Sequence, residues 1–392
     1  MVAATYTPLS HSLPPGASSA GHRRRDTIRV LLFLLALATP LGSMILHLDR
    51  GPKLSENRHL AERPRLVLRP RELASFPGTF RYYFADHFGF RDTLIRLHGL
   101  LCLRLLGVLP NPDVTRGKEG WLFLANERST DYYRHTELFT PPELERWRQV
   151  LEARRNWLAA RGAAYLFVVA PNKETIYGEM MPELLTQVAP ESRLDQLVTY
   201  LRGHSDVRLV DLRGVLTAAK GEERLYHKTD THWNDRGAFR AYRAIMAAVP
   251  ASVSGATALP WDRFERTERD TEGMDLTRQI GIRDVFRERR LDLTPTRPLG
   301  LAAVEQDDVR PVAVSARGTD LPAVVVFRDS FFSSLLPWLA ESFGTGLYLW
   351  QDEFAVEPID RIHPQVVIQE IVERKLMQLE PSNPPLPPLP PL

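Results

Sequence analysis

Cysteine is almost absent from this chain: Cys102 is the only one in 392 residues, so no disulfide can form within the chain. Cys102 lies in a leucine-rich segment, as expected of a small core residue. No Cys/His spacing typical of a zinc site is present, and we predict neither a metal nor a cofactor. Lys and Arg number 50 against 48 for Asp and Glu, a net charge of +2. Because this charge is small, nothing favours binding to nucleic acid.

One long apolar run, from Val30 to Leu46, occurs near the N-terminus. It follows a basic leader, residues 1–27, that is rich in Ser, Pro, Gly and Ala and is predicted to be disordered. Basic residues before an apolar run favour an N-terminus held in the cytoplasm, with the rest of the chain exported. The run is somewhat shorter than the roughly 20 residues of a typical span. We predict a membrane anchor at residues 28–48; a signal peptide cleaved near residues 36–38 is the alternative.

The rest of the chain divides into an entry region, a core and a tail. Residues 49–130 are predicted to be helical and to pack on the core, which occupies residues 131–376. Within the core, residues 251–320 are charged and poor in apolar residues, so we interpret them as an insertion. Residues 377–392 form a proline-rich tail that we expect to be extended and disordered. Docking of this tail to a partner is the alternative.

The core shows strand and helix patterns in alternation. Residues 164–170 are almost continuously apolar, which is typical of a strand covered on both faces in a parallel sheet. Further strands are predicted at 207–212, 323–327 and 366–368, and helices at 140–158, 194–201, 235–248 and 333–343. Alternation of this kind predicts an α/β fold, a doubly wound parallel sheet with helices on both faces.

A serine, Ser330, follows the strand predicted at 323–327 and precedes a helical stretch. That position is a strand-to-helix turn, where α/β enzymes expose a nucleophile. Upstream, Asp230 and His232 stand two positions apart, so in an extended segment their side chains point the same way. The three residues together supply a nucleophile, a base and a group that orients the base, which is the minimum for serine acyl transfer.

Other polar and aromatic residues fall at the same edge of the predicted sheet. In an open α/β sheet, ligands bind outside the carboxyl ends of the strands. Asn172 follows the strand at 164–170, and its amide is a candidate oxyanion donor beside the Ser330 N–H; a turn residue is the alternative. Lys173 and Tyr177 are expected to be structural or to face the substrate. Trp233 is expected to be either a platform for a sugar ring or a wall of the core.

The loop around His232 also contains the side chains that a cation would need: His227, Asp230, His232 and Asp235. A helical His–His spacing is missing, and no second ligand cluster is obvious. We therefore predict that this loop serves acyl transfer rather than metal binding.

Several segments resemble the alginate O-acetyltransferase AlgJ/AlgX family, whose catalytic domain is similar to SGNH hydrolases. The resemblance extends from Glu56 to Lys375, and its most specific element is Asp230-Thr231-His232-Trp233 with Ser330 downstream. The other matching segments are 86–91, 117–123, 171–177, 226–237, 328–331 and 370–374. Arg328, a further candidate for contact with the oxyanion or the substrate, stands where a Gly-Asp-Ser block would place glycine, which puts the turn and the oxyanion donors in question.

The resemblance implies Ser330 as nucleophile, His232 as general base and Asp230 as its orienter, in an SGNH-hydrolase-like domain. It also implies acetylation of an extracellular polysaccharide by a protein anchored in the inner membrane, with its catalytic domain in the periplasm, or by a soluble periplasmic one. The acetyl donor would be a membrane-bound O-acyltransferase, because cytoplasmic acetyl donors do not cross the membrane unaided. A carbohydrate acetylesterase with the same three residues and a non-catalytic polysaccharide assembly protein are the alternatives. The chain after Lys375 is too short for a carbohydrate-binding module.

Overall fold

The structure is a computed structural model that describes residues 19–46, 60–299, 303–306, 311–316 and 320–388. Contacts divide the chain into two units, Met1–His98 and Gly99–Leu392.

The first unit is helical in the part that the structure describes. Its helices are α1 (Ser19–Leu46), α2 (Pro70–His87) and α3 (Arg91–Leu101), the last of which ends in the second unit. Within α1, the 22 residues Arg23–Met44 are long and apolar enough to cross a membrane, and almost all are exposed. Helix α1 begins at Ser19, so the part of the predicted leader from 19 to 27 is helical; arginine, of which it has three, is a good helix former. Residues 1–18 lie outside the described residues.

The second unit contains the strands. In chain order they are β1 (Val114–Arg116), β2 (Leu122–Leu124), β3 (Ala164–Ala170), β4 (Leu209–Asp211), β5 (Phe264–Glu272), β6 (Arg287–Pro295), β7 (Ala303–Gln306), β8 (Pro311–Ala316), β9 (Val324–Arg328), β10 (Thr345–Trp350) and β11 (Val366–Val372). Its further helices are α4 (Ser129–Arg134), α5 (Pro141–Ala159), α6 (Lys173–Ile176), α7 (Arg193–His204), α8 (Arg213–Ala219), α9 (Asp235–Ala248), α10 (Asp275–Gln279), α11 (Leu336–Ser342) and α12 (Glu357–Ile362).

Seven strands form the central sheet in the order β4-β3-β11-β9-β10-β8-β7. The five from β4 to β10 in this order are parallel, which confirms the predicted sheet. Strands β8 and β7 are antiparallel and extend one edge. Because both lie within residues 251–320, that segment is more than an insertion. Its other part, the hairpin β5–β6, forms a sheet of its own.

Helices cover both faces of the central sheet, as the sequence predicts. Alternate residues of β3 point to opposite faces, so that Leu166 and Val168 pack with α8, α9 and α11, while Phe167 and Val169 pack with α5, α7 and α12. Helix α5 begins with the predicted capping box, in which the side chains of Thr140 and Glu143 satisfy one another's backbone N–H groups.

The proline-rich tail is ordered up to residue 388, contrary to our expectation. Arg154 of α5 donates to Asn383 Oδ1 and to the Ser382 carbonyl, each at 2.6 Å. Trp157 Nε1 donates to the Pro387 carbonyl at 2.8 Å. Proline lacks an N–H but keeps its carbonyl oxygen, so donors on a neighbouring helix can hold a proline-rich segment that forms no regular structure.

Candidate active site

Ser330 lies on a tight turn that is bonded to the neighbouring strand. Strand β9 ends at Arg328, and a short 3₁₀ turn begins at Phe331. Asp329 Oδ1 accepts from the Phe331 N–H at 2.9 Å, and its Oδ2 accepts from the Val372 N–H at 2.8 Å. The Asp329 N–H donates to Glu370 Oε2 at 3.1 Å. The turn that presents Ser330 is therefore fixed to the end of β11.

His232 and Asp230 meet Ser330 in a continuous series of hydrogen bonds. His232 Nε2 lies 2.9 Å from Ser330 Oγ, and His232 Nδ1 lies 2.8 Å from Asp230 Oδ1. The same carboxylate oxygen accepts from the His232 backbone N–H at 3.0 Å. The structure thus brings together the three residues that the sequence pairs only by pattern, in the order nucleophile, base and orienting acid.

The electrostatics of this pair favour a negative aspartate beside a basic imidazole. Burial alone raises the pKa of Asp230, but the hydrogen bond and charge of His232 outweigh it and hold that pKa well below its ordinary value. Burial lowers the pKa of His232, but the hydrogen bond and charge of Asp230 outweigh it, with a contribution from Asp275, and the net shift is upward. A more basic His232 is better able to take the proton of Ser330.

Trp233 and Asn234 hold the loop that contains His232. Trp233 Nε1 donates to the Phe331 carbonyl at 3.0 Å, which ties this loop to the serine turn. Asn234 caps α9, its Oδ1 accepting from the N–H groups of Arg236 and Gly237. The indole is 2% exposed. Trp233 is therefore a wall of the core and does not offer a platform to a sugar.

Two acidic residues, Asp275 in α10 and Glu288 on β6, also hold the loop that contains His232. Glu288 accepts from the N–H groups of Lys228 and Thr229 at 2.7 and 2.9 Å and from the Thr229 hydroxyl. Asp275 accepts from the Thr231 hydroxyl at 3.2 Å. Sequence analysis missed both, because they lie 59 and 44 residues from their partners in a segment without apolar periodicity.

Lys173 and Tyr177 are buried, and their polar side-chain atoms form hydrogen bonds with backbone groups. Lys173 Nζ donates to the carbonyls of His227, Lys228 and Asp230 at 3.1, 3.3 and 2.5 Å. Burial lowers the pKa of Lys173 to about 8, against the opposing effect of nearby acids such as Asp230. The Tyr177 hydroxyl accepts from the Leu225 N–H at 2.9 Å. Both residues support the loop, and neither faces a substrate.

Arg328 is also buried, with 2% of its surface exposed. Its Nη1 donates to Ser333 Oγ at 2.9 Å and to the Asp329 carbonyl at 3.2 Å. The guanidinium lies 4.6 Å from the centre of the Trp350 ring. This arginine, at the position where the SGNH pattern has glycine, supports the serine turn from within the protein. Its hydrogen bonds go to Asp329 and Ser333, which does not identify it as a donor to a substrate.

Part of the Asn172 amide has no hydrogen-bond partner among the residues that the structure describes. It is 1% exposed, and its Oδ1 accepts from Arg374 Nη1 at 3.1 Å. Among the described residues, no acceptor takes a hydrogen bond from its Nδ2. A buried amide N–H₂ without a partner is rare, so Asn172 remains the candidate oxyanion donor.

The structure does not assemble the cation ligands weighed from the sequence. His227 Nδ1 lies 3.5 Å from Glu288, and Asp235 accepts from the Leu293 N–H at 3.1 Å. Within the part of the chain that the structure describes, the group that could hold an ion consists of Asp230, His232 and Asp275, with one ligand atom from each within 4.8 Å of the others. Two of these three residues belong to the series that ends at Ser330.

A parallel α/β sheet with a serine at the end of one strand and an Asp-x-His loop beside it is the arrangement of an SGNH hydrolase-like domain. The family model described as SGNH hydrolase-like domain, acetyltransferase AlgX, matches residues 114–314, just over half of the chain. The chain belongs to this family of acetyltransferases.

Two curated relatives and one solved structure are also similar to this chain. The chain is 27% identical over 290 residues to a probable alginate O-acetylase AlgJ of Pseudomonas syringae pv. tomato, covering 68% of this chain and 69% of the relative. It is also 27% identical over 292 residues to the probable alginate O-acetylase AlgJ of Pseudomonas fluorescens, covering 68% of each. The O-acetyltransferase domain of Pseudomonas putida AlgJ is similar in structure, with a TM-score of 0.45 at 19% identity over 70% of this chain and 94% of that domain.

Proposed function

We propose that this protein is an exported O-acetyltransferase that transfers acetyl groups, through Ser330, to hydroxyls of an extracellular polysaccharide. The observation that supports it best is the unbroken series Ser330 Oγ, His232, Asp230, with contacts of 2.9 and 2.8 Å. The names of the curated relatives make alginate the first acceptor to test. No cofactor is needed, because the nucleophile and base are side chains.

In the first half of the reaction, His232 Nε2 takes the proton of Ser330 Oγ while the oxygen attacks the acetyl carbonyl of the donor. The negative charge that develops on the carbonyl oxygen would be stabilised by the Ser330 N–H and by Asn172 Nδ2. When the tetrahedral intermediate collapses, His232 gives its proton to the leaving group, and acetyl remains on Ser330.

In the second half, a sugar hydroxyl replaces the leaving group. His232 takes the proton of that hydroxyl while the sugar oxygen attacks the acetyl-serine carbonyl. When the ester bond to Ser330 breaks, His232 returns the proton to Ser330 Oγ. Asp230 keeps the proton of the neutral imidazole on Nδ1, so Nε2 stays free to accept, and its charge stabilises the imidazolium in both halves.

The N-terminal helix supports the proposed location, and the resemblance to the acetyltransferase family supports the proposed partner. Helix α1 would hold the protein in the inner membrane, with the second unit in the periplasm; removal of a signal peptide would leave it soluble there. A membrane-bound O-acyltransferase would bring acetyl from the cytoplasmic side and pass it to Ser330. A reporter fused after residue 60 should then be found outside the cytoplasm.

The test uses the purified protein with an acetyl ester as donor, in water alone or with an alginate oligosaccharide. We expect acetyl on the sugar, slow release of acetate without it, and loss of both with Ser330→Ala. Ser334→Ala, on the same turn, is the matched control and should retain activity. Full transfer by Ser330→Ala would refute the nucleophile. Release of acetate alone, whatever the acceptor, would make the protein an acetylesterase.

A further inference from the structure

Three residues lie just beyond the carboxyl ends of neighbouring strands of the central sheet. Asn172, Arg374 and Ser330 each lie two residues beyond the end of a strand, namely β3, β11 and β9. Strand β11 pairs in parallel with both of the others and lies between them. Because neighbouring strands are about 4.8 Å apart, Asn172 and Ser330 are separated by about 10 Å across the sheet. An acyl group bound to Ser330 can occupy part of that interval.

The contact with Arg374 determines which way the Asn172 amide faces. A guanidinium group donates hydrogen bonds and cannot accept them, so the amide atom that faces Arg374 must be the oxygen. Arg374 Nη1 donates to Asn172 Oδ1 at 3.1 Å. The Asn172 N–H₂ group is therefore directed away from Arg374, and it has no acceptor among the described residues.

Arg374 and the Asn172 backbone are themselves held in place. Arg374 Nε and Nη2 each lie 2.9 Å from Glu127 Oε2, and the Asn172 N–H donates to Glu373 Oε1 at 2.8 Å. The Arg374 guanidinium lies 5.7 Å from the ring of Phe331, the residue after Ser330. The ring of Phe331 in turn lies 4.9 Å from that of His232. Arg374 thus belongs to the surroundings of the reacting groups but has its donors directed to Glu127 and Asn172.

We propose that Arg374 is a positioning residue: it fixes the orientation of the Asn172 amide so that Nδ2 is available to the oxyanion formed at Ser330. The proposal rests on the proposed acetyl transfer. A donor that lacks an acceptor in the resting protein and gains an anionic one in the transition state stabilises the transition state selectively. Without Arg374, the amide can turn over and present its oxygen, which would repel the oxyanion.

The test compares Arg374→Met, Arg374→Lys, Asn172→Ala and the double variant Arg374→Met/Asn172→Ala in the acetyl ester assay. Loss of one oxyanion donor typically lowers kcat about a hundred- to a thousandfold, and we expect this for Asn172→Ala. Arg374→Met should lower kcat at least about tenfold with KM for the donor little changed, because orientation matters in the transition state. Arg374→Lys, which keeps a donor and the charge, should recover part of kcat.

The double variant separates orientation from general support. If Arg374 acts through Asn172, adding Arg374→Met to Asn172→Ala should change kcat by less than about threefold. Independent, multiplied losses would overturn the proposal, as would an Arg374→Met variant with the kcat of the wild type. Either result leaves acetyl transfer itself intact, provided that Ser330→Ala is inactive. If Ser330→Ala is active, the proposed function fails instead.

Two further variants keep the test decisive if Arg374→Met does not fold. Asn172→Asp keeps an acceptor for Arg374 but has no N–H₂ group, so it should fold and should lose as much kcat as Asn172→Ala; normal kcat would overturn the proposal. The matched control is Arg154→Met, since Arg154 also donates to an asparagine oxygen, that of Asn383 at 2.6 Å. This variant should lower stability and leave kcat unchanged.

Discussion

Replacing Asp230 by asparagine tests how the carboxylate acts on His232. Asp230 Oδ1 accepts from both the backbone N–H and Nδ1 of His232, while Oδ2 lies 3.4 Å from the Asp275 N–H. An amide cannot reproduce this arrangement. With its oxygen toward His232, it loses the charge that stabilises the imidazolium and sets its N–H₂ group against the Asp275 N–H. With its N–H₂ toward His232, it sets donors against donors and forces the imidazole proton onto Nε2.

Either orientation of the amide impairs the base. We expect kcat of Asp230→Asn to fall about 10³- to 10⁴-fold, or about 4–5.5 kcal/mol in activation free energy. Asp230 raises the pKa of His232 in the wild type, so the acid limb of the pH–rate profile should move to lower pH in the variant. Acetyl ester turnover across the pH range measures both effects. Asp275→Asn, which keeps the Asp230–His232 contact, should lose much less. An Asp230→Asn variant within about threefold of the wild type at every pH would refute this reasoning.

Two predictions concern stability. Burial raises the pKa of Glu373 to about 8, whereas the pKa of an unfolded glutamate is about 4.3. Between these two pH values the folded state holds a proton that the unfolded state lacks. The contribution of this proton to stability is therefore lost as pH rises from about 4.3 through 8. In urea unfolding, Glu373→Gln should remove that part of the pH dependence, and an unchanged slope contradicts it. Arg161 Nη2 also donates to the Pro387 carbonyl, at 2.8 Å. Deleting residues 380–392 should lower the free energy of unfolding by about 2–4 kcal/mol, at about 1 kcal/mol for each hydrogen bond that Arg154, Trp157 and Arg161 donate to the tail, with kcat kept. Deleting only 389–392 is the control, and equal stability of the two truncations would refute the docked tail.

The geometry around Ser330 could be predicted from the sequence, because functional side chains of a parallel sheet lie beyond the carboxyl ends of its strands. Strand 164–170 and strand 323–327 were identifiable from continuous apolar runs, and parallel strands place their carboxyl ends at one edge. The Asp-x-His spacing then suggested a base and its orienter in one short segment. The structure confirms that His232 and Asp230 lie beside Ser330 in that order. The roles of these residues in catalysis stay predictions.

The support of the loop by residues 264–295 was not predictable in the same way. Glu288 and Asp275 act through side-chain hydrogen bonds to residues far away in sequence, and such contacts leave no periodic pattern. The charged composition of residues 251–320 as a whole pointed instead to an insertion. Strand β8 contains no charged residue and β7 only one, and backbone pairing joins both to the edge of the sheet.

Lys173 shows why a polar residue at a strand end need not face a ligand. The segment from His227 to Asp230 has no regular secondary structure, so its carbonyl oxygens need hydrogen-bond donors from other parts of the chain. Burying such groups without hydrogen bonds is costly, and a lysine ammonium group has three donors. Lys173 uses them on the three carbonyls of His227, Lys228 and Asp230. The buried cation of Lys173 therefore supports the segment that leads to His232, and sequence alone cannot distinguish such a cation from one that binds a substrate.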